Sequence, residues 1–152
     1  MNLLYTYPET IVDGDGIRYS IYLAGCTHHC PGCHNPESWN PNAGTPITGE
    51  TIENMIREIS GNPLLDGITF SGGDPFYNPG EFLPFIRKIK ESTRLNVWCY
   101  TGYTYDEIKL QPKLAAILPY VDVLVDGKFE KSQYSPYLEF RGSSNQRIIR
   151  LR

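Results

Sequence analysis

A chain of 152 residues, 40% apolar and 20% charged, has room for one domain with its own core and not for two, and its composition is that of an ordinary folded protein. Its net charge of −3 is at odds with a general nucleic-acid binder, whose surface is usually basic. No apolar run reaches membrane-spanning length and the first residues lack the basic start and apolar stretch of a secretory signal, so the expected location is cytoplasmic, where clustered cysteines serve as metal ligands or redox groups rather than crosslinks.

Asp13-Gly14-Asp15-Gly16 reads as a turn. After it, Ile17, Tyr19, Ile21 and Leu23 alternate with more polar residues, the pattern of a half-buried first strand. The GDGIRY stretch precedes that strand and lacks a third glycine, so it is not a dinucleotide fingerprint. The strand delivers the segment from Gly25 to Asn40, in which Cys26, Cys30 and Cys33 form a CxxxCxxC pattern. From Asn35 to Pro46 three prolines and a glycine mark a surface excursion.

Ile52, Met55, Ile56 and Ile59 recur at i, i+3, i+4 and i+7, the stripe of an amphipathic helix capped by Thr48 and stopped by Gly61 and Pro63. A second strand over 67–71 runs into Gly72-Gly73-Asp74-Pro75. Asn78-Pro79-Gly80-Glu81 then opens a helix, with proline at its first position and glutamate placed for a capping box. Phe82, Phe85, Ile86 and Ile89 are its stripe. A third strand over 95–100 exits at Thr101-Gly102 toward a capping box of Thr104 and Glu107. A fourth, over 121–125, is nearly continuous in apolar residues and ends at Asp126-Gly127-Lys128.

Apolar runs of that kind belong to parallel sheets covered by helices, so the alternating order predicts one α/β domain spanning 1–152. From Arg141 to Arg152 there are four arginines and no acid, either a docking surface for an acidic partner or phosphate or a solvated terminal segment.

The cysteine loop and the exits at Gly72, Thr101 and Asp126 all follow the carboxyl ends of predicted strands, the edge where parallel α/β sheets bind ligands. A thiolate trio suits iron in a cluster. A [4Fe-4S] cluster held by three cysteines has one iron without a protein ligand, an open position for a small molecule. The rival is a structural zinc completed by His28, His29 or His34. Gly72 and Gly73 let the backbone approach a ligand closely, and Asp74 adds a carboxylate able to hold an ammonium group; a glycine pair after a strand is also a common tight connection. Cys99, between Trp98 and Tyr100, reads as a small buried hydrophobe rather than a fourth ligand. Tyr100, Tyr103 and Tyr105 read as packing aromatics.

GCTHHCPGCHNPESWN, SGGDP, CYTGY, VDVLVDGKF and RGSSNQRI together closely resemble the radical S-adenosylmethionine enzymes, and among them the glycyl-radical-enzyme activases of the anaerobic ribonucleotide reductase branch. The resemblance spans nearly the whole chain. Gly32 stands where many superfamily members carry an aromatic residue and Asp74 where many carry a glutamate, both features of the activase branch. The resemblance implies a shortened, open partial (β/α) barrel with parallel strands and outer helices, open because 152 residues are few beside the roughly 250 of a complete eight-unit barrel.

It implies that Cys26, Cys30 and Cys33 hold a [4Fe-4S] cluster whose open iron takes the amino and carboxylate groups of S-adenosylmethionine. Gly72, Gly73 and Asp74 would hold the methionine amino end, Gly32 and His34 would lie against the nucleoside, and Thr101, Asp126 and Lys128 would belong to the same pocket. The implied reaction is one-electron cleavage of S-adenosylmethionine to a 5'-deoxyadenosyl radical that takes hydrogen from a glycine in the large catalytic subunit of anaerobic ribonucleotide reductase. Reduced flavodoxin or a similar protein is the implied electron donor. Alternatives are an activase of another glycyl-radical enzyme such as pyruvate formate-lyase, and a non-catalytic zinc or iron-sulfur module.

Overall fold

The computed structural model describes residues 1–152. The residues read above as the first strand form β2 (Arg18–Leu23), and the later strands are β4 (Gly67–Gly72), β5 (Asn96–Tyr100) and β6 (Val123–Asp126). These four run parallel and side by side in chain order. Each crossover therefore steps one place in the same direction, and the right-handed rule sends every connecting helix to the same face.

Those helices are α1 (Gly49–Ser60), α2 (Pro79–Thr93) and the short pair α3 (Tyr105–Lys109) and α4 (Pro112–Ala115). Thr48 caps α1 through a reciprocal box with Thr51, and Thr104 does the same for α3 with Glu107. Asn78 caps α2 by accepting from the Glu81 N–H, but the expected box is only half formed, because the Glu81 carboxylate goes to the Met1 amino group instead. The stripe Met55, Ile59, Phe82, Phe85, Ile86 and Ile89 packs on Ile21, Ile68, Phe70, Val97 and Leu124 of the strands as one continuous core. Cys99 lies in that core, fully buried.

Alternate residues point to the opposite, helix-free face. There Trp98, Val123 and Val125 make a second, smaller cluster with Tyr100, Phe140 and Ile148. Arg18 is buried on this side, its guanidinium shared among Thr69, the backbone carbonyls of Asp15, Ile68 and Asn96, and the Asn96 side chain. Burial pulls its pKa down to about 10, so it is still a cation at neutral pH.

Two flanks lie outside the strands expected from the sequence. β1 (Asn2–Thr10) precedes β2 and pairs with it antiparallel, carrying on its far side the two-residue β3 (Thr45–Pro46). β7 (Arg147–Arg150) adds antiparallel to β6. The seven-stranded sheet is therefore mixed and open, with order β3-β1-β2-β4-β5-β6-β7. Both strands lack the long apolar run of a central strand because they lie at or near the margins of the sheet. β1 contains Pro8 and has register shifts on both sides of Tyr5 to Tyr7, features that mask a strand in sequence. The C-terminal arginines flank Ile148 and Ile149 in an edge strand, the usual guard against edge pairing. No helix is long and apolar enough to cross a membrane.

Candidate metal centre

The loop after β2 leaves through Gly25, at φ 106, where a side chain would strike the Tyr77 ring. It then folds back on itself: Gly25 N–H donates to Ser38 O at 2.7 Å and Cys26 N–H to Trp39 O at 3.3 Å. A tight turn joins Cys33 N–H to Cys30 O at 3.0 Å, and Asn35 N–H points at the Cys33 sulfur at 3.5 Å. His29 at φ 48 and Gly32 at φ 75 supply the left-handed positions that bend this loop. Cys26 is buried, Cys30 and Cys33 are half-buried, and all are free thiols.

The three cysteines line one cavity of about 170 Å³ at the carboxyl edge of the parallel strands, walled also by His28, Gly72, Gly73, Thr101, Gly102 and Gly127. Burial pushes the Cys26 and Cys30 thiols up. Both would release a proton on binding metal, so loading is favoured by higher pH.

Each histidine of the loop has a partner, and of the three only His28 borders the cysteine cavity. His28 Nε2 lies 2.6 Å from Asp74 Oδ2. His29 stacks on Trp39 with ring centres 4.4 Å apart. His34 packs against Phe129 and Tyr134 and borders a different hollow, of about 340 Å³. No three side chains among His, Cys, Asp and Glu converge on a single-ion position. A structural zinc would need a fourth donor beside the three cysteines, and the one loop histidine on their cavity has its Nε2 on Asp74; three thiolates suit a multi-iron cluster.

Gly72, at φ 110, has no room for a side chain because the Leu23 backbone N and O lie 2.3 and 2.4 Å from where a Cβ would stand. At Gly73 the obstacles are the carbonyls of Gly25 and Ser38. The close approach at this glycine pair is thus between β4 and the cysteine loop. Asp74 is 2% exposed. Its Oδ1 accepts from Phe76 N–H at 2.9 Å, and its Oδ2 from Thr101 Oγ1 at 3.0 Å and Gly102 N–H at 2.9 Å, besides the His28 contact. Thr101 lines the cysteine cavity.

Asp126 and Lys128 border a separate polar depression with Thr104 and Glu130. The Asp126 carboxylate is taken up by Arg147 and by the Tyr105 N–H. Gly32 sits beside Lys131 and Phe129. Residues not anticipated at the cysteine cavity are Trp39, Ser71, Tyr100, Phe129 and Gln146. Gln146 accepts from Gly142 and Ser143 N–H and donates to Gly127 O at 3.0 Å, tying the RGSSNQ turn to the exit of β6. Its signal in the sequence was that polar run, whose partner lies 19 residues away.

The chain matches the 4Fe-4S single cluster domain family over residues 12–149. It is 40% identical over 154 residues to the anaerobic ribonucleoside-triphosphate reductase-activating protein of Pasteurella multocida (strain Pm70), covering 99% of this chain and 98% of that one. The protein of the same name from Escherichia coli (strain K12) is 37% identical over 156 residues, all of both chains. That of Enterobacteria phage T4 is 36% identical over 151 residues, 97% of this chain and 93% of the relative. With a matching domain and relatives of equal length, this chain belongs to the family of anaerobic ribonucleoside-triphosphate reductase-activating proteins, built on a 4Fe-4S single cluster domain.

Proposed function

We propose that this protein is a radical S-adenosylmethionine activase that generates a glycyl radical on the large subunit of anaerobic ribonucleotide reductase. The observation that carries the reading is the trio Cys26, Cys30 and Cys33 around one cavity at the strand exits, where the bordering His28 is held by Asp74 while His29 and His34 pack on aromatic rings. Cys26, Cys30 and Cys33 would hold the [4Fe-4S] cluster. A cluster held there would supply one electron to the sulfonium of S-adenosylmethionine, the chemistry that would yield methionine and a 5'-deoxyadenosyl radical able to take hydrogen from a partner glycine.

The chain's own part is binding, orientation and exclusion of water. Gly72, Gly73 and Gly102 let β4, the cysteine loop and the His28 ring pack closely behind the cavity, and Phe129 and Trp39 are among its aromatic walls. The sheet, open at β3 and β7, reads as the shortened partial barrel of that superfamily, and its opening gives a bulky partner a way to the site. A reduced flavodoxin is the expected electron source.

The test is anaerobic reconstitution with iron and sulfide, reduction, and addition of S-adenosylmethionine, with 5'-deoxyadenosine as the readout. Cys30→Ala abolishes its formation and Cys99→Ala leaves it. Equal tolerance of both, or stoichiometric zinc without iron, rejects the reading.

A further inference from the structure

Asp74 is the residue whose resemblance-based role and whose surroundings differ most. A carboxylate has two oxygens with about four acceptor directions. Here the chain itself crowds Oδ2 with three donors, His28, Thr101 and Gly102, and gives Oδ1 the Phe76 N–H, all within 3.0 Å. Asp74 is 2% exposed, and the hollow it borders, of about 280 Å³, is lined by Met1, Leu23, Tyr77 and Glu81 and not by the three cysteines.

Those donors come from separate pieces of chain. Phe76 belongs to the exit of β4, Thr101 and Gly102 to the exit of β5, and His28 to the cysteine loop. His28 stands midway between Cys26 and Cys30, two residues from each. Its side chain is 8% exposed. The ring meets Tyr103 edge-on, with centres 4.7 Å apart, and fills the space over Gly102, where a Cβ would come within 2.5 Å of it.

We infer that Asp74 and His28 are positioning residues: their contact clamps the middle of the cysteine loop onto the exits of β4 and β5 and so sets the separation of Cys26 and Cys30, while the Asp74 carboxylate serves the chain and not the ammonium of S-adenosylmethionine. For the identity of the cofactors this rests on the proposed function; for the clamp itself it rests on the contacts alone. Gly102 is part of the device, since any side chain there displaces the His28 ring.

The experiment compares His28→Ala, His28→Gln, Asp74→Asn and the double variant His28→Ala/Asp74→Asn. Three quantities are read: the thermal midpoint of the cluster-free protein, the rate at which reconstituted iron is lost to a chelator, and the change in the electron paramagnetic resonance of the reduced cluster on adding S-adenosylmethionine. His28→Ala and Asp74→Asn each lower the midpoint and speed iron loss roughly ten-fold, the scale of one charge-assisted hydrogen bond. The double variant is no worse than the worse single. His28→Gln, which keeps a donor near the Nε2 position, recovers most of the loss. The iron that remains in Asp74→Asn still shows the parental response to S-adenosylmethionine.

Additive losses in the double variant overturn the clamp. An Asp74→Asn protein that keeps its iron like the parent yet no longer responds to S-adenosylmethionine returns the carboxylate to the ligand. A parent that takes up no iron removes the proposed function instead, and coupling of the two thermal midpoints then decides the clamp by itself.

Discussion

Arg147 reaches from β7 to Asp126 at the end of β6, its Nη2 2.5 Å from Oδ2 and its Nε 3.1 Å from Oδ1. The carboxylate is 1% exposed and the guanidinium side chain 51%. The arginine that gives the C-terminal segment part of its positive charge is thus a lid on a buried acid, and it holds the edge strand to the sheet. Arg150 likewise meets Asp15.

Removing that lid leaves a buried carboxylate short of its main partner. Arg147→Ala is expected to lower unfolding stability by about 2 kcal/mol. Lys88→Ala, which breaks the exposed 3.8 Å pair with Glu53, is expected to stay within about 0.5 kcal/mol of the parent. Urea denaturation of both variants checks the contrast; equal effects would show that Arg147 contributes only as a surface charge.

Arg18 anchors the helix-free side of the sheet. Its Nε, Nη1 and Nη2 reach Thr69, Asp15, Ile68 and Asn96 at 2.8–3.0 Å, and its guanidinium carbon lies 5.5 Å from the centre of the Trp98 ring. Arg18→Met keeps much of the side-chain bulk but strands several buried acceptors, at a cost of about 3 kcal/mol or more. A denaturation midpoint equal to that of the parent would contradict this account.

Tyr19 donates to Glu58 at 3.0 Å and is 1% exposed. Burial pushes its pKa up to about 12 from the ordinary value of 10. Below pH 10 both folded and unfolded chains carry a neutral phenol. Above it the unfolded chain ionises first, so stability falls as pH rises from 10 through 12. Across that window the difference amounts to about 2–3 kcal/mol. Tyr19→Phe should show a correspondingly shallower alkaline loss when the two proteins are melted side by side, and parallel curves would refute the assignment.

Two glycines separate necessity from tolerance. Gly72→Ala forces a Cβ into the Leu23 backbone at a φ of 110, for which a loss above about 3 kcal/mol is expected. Gly49, first residue of α1, has nothing within 4 Å of its Cβ position. Gly49→Ala is expected to raise stability by up to about 1 kcal/mol. Thermal melts distinguish the two, and a harmless Gly72→Ala would mean that β2 and β4 part more readily than their register implies.

What the amino-acid order determined by itself was everything encoded over a few residues. The stripes of α1 and α2, the caps at Thr48, Asn78 and Thr104, the alternation of strand and helix, and the crowding of Cys26, Cys30 and Cys33 after a strand all follow from spacing within one or two turns of chain. The tertiary structure decided what depends on partners far apart. β1 and β7 became strands because a neighbour lay beside them, against the signals of Pro8 and of two flanking arginines. Asp74 found His28 across 46 residues and Thr101 across 27, and Asp126 found Arg147 across 21. A side chain's chemistry is written in its letter, but whether its oxygens are free for a ligand is set by which donors the folded chain brings to them.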